Sequence, residues 1–308
     1  MTLLRIATRA SPLAVAQTKL VAAAVERLLG AKTELVLVRT EGDRVQDRAL
    51  AAIGGKGLFV KELEEALLDG RADLAVHSAK DLPAALAPGT ALAAFPERAD
   101  ARDALIGAAR GARLAGLRKG ARVGTGSLRR RAQLLVARPD LEIVAIRGNV
   151  DTRIRKLASE QLDAVVLACA GLVRLGLEER IDERLDPAAM LPAVGQGALA
   201  LQTRAGAPVE AALAALDHAP TRAAVAAERA FLVALAGDCN VPLAAHAEVA
   251  GGAVALRGLL ASPDGARVLR AAARAPIEDA ERAGREAAEA ILAAGGRAIL
   301  DALGTAAP

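Results

Sequence analysis

The sequence predicts an α/β fold of two duplicated lobes with mainly parallel sheets, followed by a smaller α+β C-terminal domain with a three-stranded antiparallel sheet. Three observations carry this reading. A strand, turn, helix, strand unit opens the chain and recurs from residue 121. Segments marked by Pro and Gly flank the second copy. Beyond Asp217 the pattern changes to extended runs joined by turns, and a length of 308 residues leaves room for two or three domains.

The elements follow in order. Leu3 to Thr8 reads as a short strand that breaks at Arg9-Ala10-Ser11-Pro12, and Leu13 to Leu29 then has helical periodicity and stops at Gly30. A strand over Glu34 to Arg39, a helix over Leu58 to Leu68 and an aspartate-led strand, Asp73 to Val76, complete the first copy. The second copy repeats them: a strand over Ala121 to Thr125, a break at Gly126-Ser127, a helix over Arg129 to Ala137, a strand over Leu141 to Ile146, a helix over Asp151 to Ser159 and a strand over Asp163 to Leu167. Strand and helix alternate throughout, so ligand loops are expected at the strand C-terminal ends. Ala94 to Glu97 and Leu191 to Gly197 read as paired hinge strands. The domain boundaries that follow are 1–96 with 198–215, then 97–197, then 216–308. In the last, a helix from about Thr221 to Gly237 precedes strands over His246 to Ala250, Ala253 to Ala261 and Ala266 to Ala273, and a helix after Pro276 stops near Gly295-Gly296.

Composition narrows the function. There is no Trp or Tyr and only three Phe, so the stacking platform of a single-strand nucleic-acid binder is missing. Two cysteines make no disulfide framework, and Arg5, Arg9 and Lys19 interrupt the apolar start, which reads as neither signal peptide nor membrane span. A cytoplasmic, soluble protein is expected, with no nucleic-acid or membrane partner. Between Arg110 and Lys156 thirteen Lys/Arg face three acids, whereas the whole chain is only +4, so basic charge is concentrated there. Of the 40 basic residues 33 are Arg, whose planar fork suits carboxylate or phosphate.

Both βα turns, Thr8 to Ser11 and Thr125 to Arg130, place hydroxyls and backbone amides at a helix N-terminus, where anions bind, although a serine there is also simply a good cap. Arg147-Gly148-Asn149, Arg153 and Arg174 add guanidinium groups to the same strand ends, more than one carboxylate needs. A ligand with many carboxylates or phosphates is implied. His77 to Pro83 leaves a buried strand at the corresponding edge of the first lobe; Asp81 beside Lys80 reads either as a solvated turn pair or, facing arginines, as the carboxylate for a cation or a donor N–H. His77, His218 and His246 lack metal spacing, and no metal is expected. Cys169 lies in an apolar strand run, the place of an inert thiol, whereas Cys239 lies in a Gly/Asp/Asn/Pro loop that favours exposure and covalent work.

Seven ordered motifs resemble the hydroxymethylbilane synthase (porphobilinogen deaminase) family: Thr8 to Ala14, Gly54 to Phe59, His77 to Asp81, Ser127 to Arg130, Arg147 to Asn149, Leu191 to Gly197 and the Cys239 loop. The resemblance implies lobes of the periplasmic-binding type and a transferase that joins four porphobilinogen molecules head to tail with loss of ammonia. It implies a dipyrromethane primer held by thioether to Cys239, in the C-terminal domain, and release of a linear tetrapyrrole, hydroxymethylbilane, for heme biosynthesis. Asp81 matches the family's acid residue. Cofactor contacts carry over to Cys239, Lys80, Asp81, Thr125, Ser127, Arg129, Arg130, Arg147 and Gly148, and substrate contacts to Arg9, Ser11, Lys56, Phe59, Arg147, Arg153, Arg174 and Gln196. A monomer is expected. The chain departs from the family at Gly126, where Ser is frequent, at Asp238 and Asn240 around the cysteine, and at Ala52, where some members have Lys. Two other classes share features: a nucleic-acid binder would use the 110–156 charge, and a two-lobed anion sensor would need no cysteine arm.

Overall fold

In the computed structural model, which describes residues 3–40, 60–235 and 241–304, the opening run Leu3–Arg9 is strand β1, with Ile6 and Ala7 fully buried. Ser11 caps helix α1 (Pro12–Leu29): its hydroxyl accepts the Ala14 amide at 3.3 Å, and Pro12 presets φ in the first turn. Gly30, at φ 60°, closes the helix in the left-handed region that a side chain disfavours. Strand β2 (Lys32–Val38), helix α2 (Lys61–Leu68), β3 (Leu74–Ser78) and β4 (Thr90–Ala94) follow.

The next stretch repeats the plan. It runs through β5 (Asp103–Gly107), β6 (Arg122–Gly124), α3 (Leu128–Ala137), β7 (Glu142–Val144), α4 (Val150–Ser159), β8 (Ala164–Ala168), α5 (Cys169–Arg174) and β9 (Glu183–Arg184). Strand β10 (Leu199–Arg204) and helix α6 (Pro208–Leu213) come next. Helix α7 (Ala219–Ala234) leads into β11 (Leu243–Ala250), β12 (Ala253–Ala261) and β13 (Val268–Pro276), closed by α8 (Ala280–Ile291) and α9 (Arg297–Ala302).

Two five-stranded sheets have matching orders, β2-β1-β3-β10-β4 and β7-β6-β8-β5-β9. In each, the first three strands pair in parallel and the fourth runs against both of its neighbours. Four of five strands therefore share one direction, the duplication expected from the sequence, with one antiparallel strand inserted in each copy. Apolar side chains cover both faces of each sheet, as buried parallel strands require: Leu4, Ile6, Val21 and Val25 lie on one side of the first sheet, Leu63, Ala66 and Leu67 on the other. The third sheet is antiparallel, β11-β12-β13, and packs on α7 and α8 through Phe231, Leu256 and Ile291. Gly258 lets the Phe231 ring lie on β12, since a Cβ there would meet the ring at 2.5 Å.

The chain folds into two compact units, Met1–Ala99 with Ala198–Arg222, and Asp100–Gly197 with Ala223–Pro308. The second holds two of the sheets; Ala132 and Leu191 pack against Ala244, Leu259 and Ala261 of the third. Two local readings change. Cys169, expected inside a strand, is the first residue of α5, because β8 ends at Ala168. The last helical stretch does not stop at Gly295: that residue, at φ 92°, kinks it, and α9 continues beyond.

Candidate functional site

In the first unit β1 and β3 are parallel, so their C-terminal ends open on one edge. Arg9 ends β1 and Ser11 follows it. A 3₁₀ turn, Ala79–Asp81, follows β3, anchored where the Ala79 amide donates to the Ala198 carbonyl at 3.0 Å. The Ser78 hydroxyl and the Gln17 amide exchange bonds of 2.9 and 3.2 Å, fixing the strand end against α1. Lys80 and Asp81 are half-buried, and the Asp81 carboxylate has no hydrogen bond or ion pair among the described residues. A carboxylate held on a rigid turn with its acceptor sites unfilled is disposed to receive a donor from outside. The Ser11 hydroxyl is already used as a helix cap.

His77, one residue earlier, points into the interior and is 5% exposed. Burial pulls its imidazole down from the ordinary 6.5 to about 4, and the Arg9 charge adds to this while Gln202 opposes it. The unfolded chain takes up this proton near pH 6.5 and the native protein only near pH 4, so His77 leaves stability intact above pH 6.5 and removes it as pH falls toward 4. The expected loss is about 3 kcal/mol across that window. Urea unfolding at pH 7 and pH 4.5 checks this: in His77→Gln the difference between the two pH values should shrink by most of that amount.

In the second unit the corresponding edge gathers most of the expected residues. Ser127 caps α3 by accepting the Arg130 amide at 3.4 Å, and the Thr125 hydroxyl accepts the Ser127 amide at 3.3 Å. Gly126 touches the next strand end so closely that a Cβ would stand 2.5 Å from the Ile146 carbonyl oxygen. Gly148 has φ 111°, and Arg153 donates from Nε to its carbonyl at 2.7 Å, folding the side chain over the loop. Arg147 is half-buried and makes no hydrogen bond or ion pair with any described residue. Arg174 donates to the Gly197 carbonyl at 2.7 Å, and burial pulls its guanidinium down to about 10. No carboxylate pairs with Arg174 among the described residues.

Arg129 and Arg130 are both buried, and both are bonded to a residue that the sequence motifs do not single out. Asp103, the first residue of β5, is fully buried; Oδ2 accepts Arg129 Nη1 at 2.8 Å, and Oδ1 accepts Arg130 Nη2 at 2.7 Å and Nε at 3.0 Å. Gln196 Nε2 donates to the same Oδ1 at 2.9 Å and to the Ala101 carbonyl at 2.7 Å. The two guanidinium groups hold the Asp103 carboxyl far below the usual carboxylate range despite its burial. The signal available in the sequence was a lone acid heading the apolar run Ala104-Leu105-Ile106. Gln133 and Arg129 also hold Leu191, and Glu228 accepts the Gly195 amide at 2.6 Å and the Ala247 amide at 2.8 Å. The segment 191–197 is thus pinned at Leu191, Gly195, Gln196 and Gly197.

The basic surplus of 110–156 is smaller at this edge than its count suggests. Arg118 pairs with Asp163, Arg122 with Glu142 and Arg138 with Asp140, all away from the strand C-terminal ends. Lys56, Phe59, Ala52, Asp238, Cys239 and Asn240 lie outside the described residues. Cys169 is buried beneath the sheet edge, and burial with Asp100 and Asp103 nearby pushes its thiol up to about 12. It cannot supply a thiolate near neutral pH. Among the described residues no group of three or more His, Cys, Asp or Glu side chains is placed to hold a metal ion, and no helix is long and apolar enough to cross a membrane.

Sequence comparison matches residues 4–210 to the family described as porphobilinogen deaminase, dipyromethane cofactor binding domain, and residues 222–293 to porphobilinogen deaminase, C-terminal domain. Porphobilinogen deaminase of Pelobacter propionicus is 51% identical over 97% of this chain and 96% of that protein. That of Trichlorobacter lovleyi is 52% identical over the same shares. Among solved structures, a periplasmic substrate-binding protein of an ABC transporter from Coxiella burnetii is similar at 16% identity and a TM-score of 0.43, over 71% of this chain and 93% of that one; the fold described above rests on the strand orders alone.

Proposed function

The chain belongs to the porphobilinogen deaminase family, and on that footing we propose that it condenses four porphobilinogen molecules head to tail, releases ammonia at each addition, and finally hydrolyses off the linear tetrapyrrole hydroxymethylbilane, water supplying its hydroxyl. The observation that carries the reading is chemical: half-buried Arg147 and Arg174 stand at a strand edge with no carboxylate partner among the described residues. A buried guanidinium costs desolvation, and an anionic ligand restores the balance. Each pyrrole of the substrate brings an acetate and a propionate.

The residues present suit a covalent dipyrromethane. Arg129 and Arg147 would hold its carboxylates, and its thioether needs an accessible thiolate, which Cys169 does not offer and the loop cysteine Cys239 is assigned to offer. When bound, that group supplies a free α-carbon as the nucleophile for the first substrate. Lys80 at the first unit's strand edge and Thr125, Ser127 and Gly148 at the second's are assigned to the cofactor; Arg9, Ser11, Lys56, Phe59, Arg153 and Gln196 are assigned to substrate and to the loops that carry it.

Asp81 is assigned the catalytic role. Loss of ammonia from the aminomethyl group of porphobilinogen breaks a C–N bond and leaves a cation delocalised into the pyrrole ring. The unfilled oxygens of Asp81 accept the pyrrole N–H, and that bond strengthens as the ring becomes positive, so the carboxylate favours the transition state over the ground state. Arg9, Arg147, Arg153 and Arg174 hold acetate and propionate groups and fix the reacting carbon.

The test is stoichiometric. Purified protein supplied with porphobilinogen should release one ammonia per substrate consumed and yield one linear tetrapyrrole per four. Substrate depletion without ammonia, or no depletion at all, contradicts the proposal.

A further inference from the structure

Two adjacent arginines share one buried carboxylate, and their hydrogen bonding is unequal. Every nitrogen of Arg130 is engaged: Nε and Nη2 donate to Asp103, and Nη1 donates to the Val166 carbonyl at 3.1 Å. Arg129 commits only Nη1, to Asp103 Oδ2 at 2.8 Å and to the Leu191 carbonyl at 2.6 Å. Its Nε and Nη2 have no partner among the described residues, although the side chain is about as deeply buried as that of Arg130. The Nε–Nη2 edge is the side of a guanidinium that receives a carboxylate with two parallel bonds. Two cations around one anion also leave this buried cluster with one positive charge in excess, a condition that an incoming carboxylate relieves.

We infer that Asp103 is a positioning residue that divides the arginine pair, locking Arg130 as its structural counter-ion and turning Arg129 so that its open edge meets a carboxylate of the dipyrromethane cofactor. This rests on the functional reading above. Asp103 also receives Gln196, so the pinned segment 191–197 and the arginine pair are set by the same carboxylate. Gln196 therefore acts here through Asp103.

The experiment compares variants by intact mass after purification, which reads the fraction of chains carrying a dipyrrole, and by thermal midpoint. Asp103→Asn alone leaves two buried cations without a counter-charge and is expected to fold poorly. The charge-balanced doubles Asp103→Asn/Arg130→Gln and Asp103→Asn/Arg129→Gln each keep the excess at one and should melt at similar temperatures. The first, with Arg129 still held by the asparagine oxygen, should retain most of its adduct; the second should lose about tenfold or more, the scale of a charge-assisted bidentate contact. Should the doubles fail to fold, single lysine replacements separate the same roles: Arg129→Lys should keep the melting temperature and lose adduct, and Arg130→Lys should lower the melting temperature more than the adduct fraction. Equal adduct loss in the two doubles, or in the two lysine variants at matched stability, overturns the division. A wild-type chain without any dipyrrole overturns the functional reading itself, before the arginines are compared.

Discussion

Cys239→Ser should yield a folded chain that carries no covalent pyrrole and has no measurable turnover. A hydroxyl does not ionise near neutral pH and cannot supply the thiolate that a thioether requires, so the loss should be complete. Cys169→Ser should keep both adduct and turnover. Cys169 is buried with its thiol pushed up to about 12, so its replacement costs packing and the burial of a hydroxyl, about 1–3 kcal/mol, and no chemistry. Intact mass and a melting curve on the two variants check this. A persistent adduct in Cys239→Ser, or its disappearance from a folded Cys169→Ser, reverses the assignment.

Asp81→Ala should leave the melting temperature nearly unchanged, because the carboxylate supports no hydrogen bond or ion pair among the described residues. Turnover should nevertheless drop by about 10²-fold or more, the usual result of removing one electrostatic contact made in the transition state. Asp81→Glu keeps the charge with a longer reach and should retain part of the rate. Steady-state kinetics on protein shown by mass to carry its cofactor separates a chemical defect from a loading defect. Turnover of Asp81→Ala within a few-fold of wild type would make this carboxylate a solvated turn residue.

Much of the architecture was legible because it is local. Ser11 and Ser127 cap their helices as their position before an apolar helical run implies, and Gly30 ends α1 in the left-handed conformation that only glycine adopts freely. The repeat of strand, turn and helix anticipated the two matching sheets. The antiparallel strands β5 and β10 were not legible in this way. Each enters its sheet from a Pro/Gly-marked segment, and their pairing with β8 and β3 is set across 57 to 127 residues of chain, where periodicity carries no information.

The candidate site was legible in its residue types and less so in their roles. Among the described residues no carboxylate pairs with Arg147, inside the counted stretch of arginines, or with Arg174, beyond it. Arg129 and Arg130 belong to a buried cluster because their counter-ion, Asp103, lies outside the 110–156 window in which charge was counted. Asp163, the partner of Arg118, lies outside it as well. Charge along a chain measures what is available, and pairing across the fold decides what is left for a ligand.

The most direct measurement is the intact mass of wild-type protein exposed to less porphobilinogen than it can consume. The account predicts a ladder: a starting species heavier than the bare chain by a dipyrrole, then species each heavier by one porphobilinogen less one ammonia, with every increment mapping to the peptide that contains Cys239. A single unshifted mass while porphobilinogen disappears, or increments on the Cys169 peptide, would contradict it.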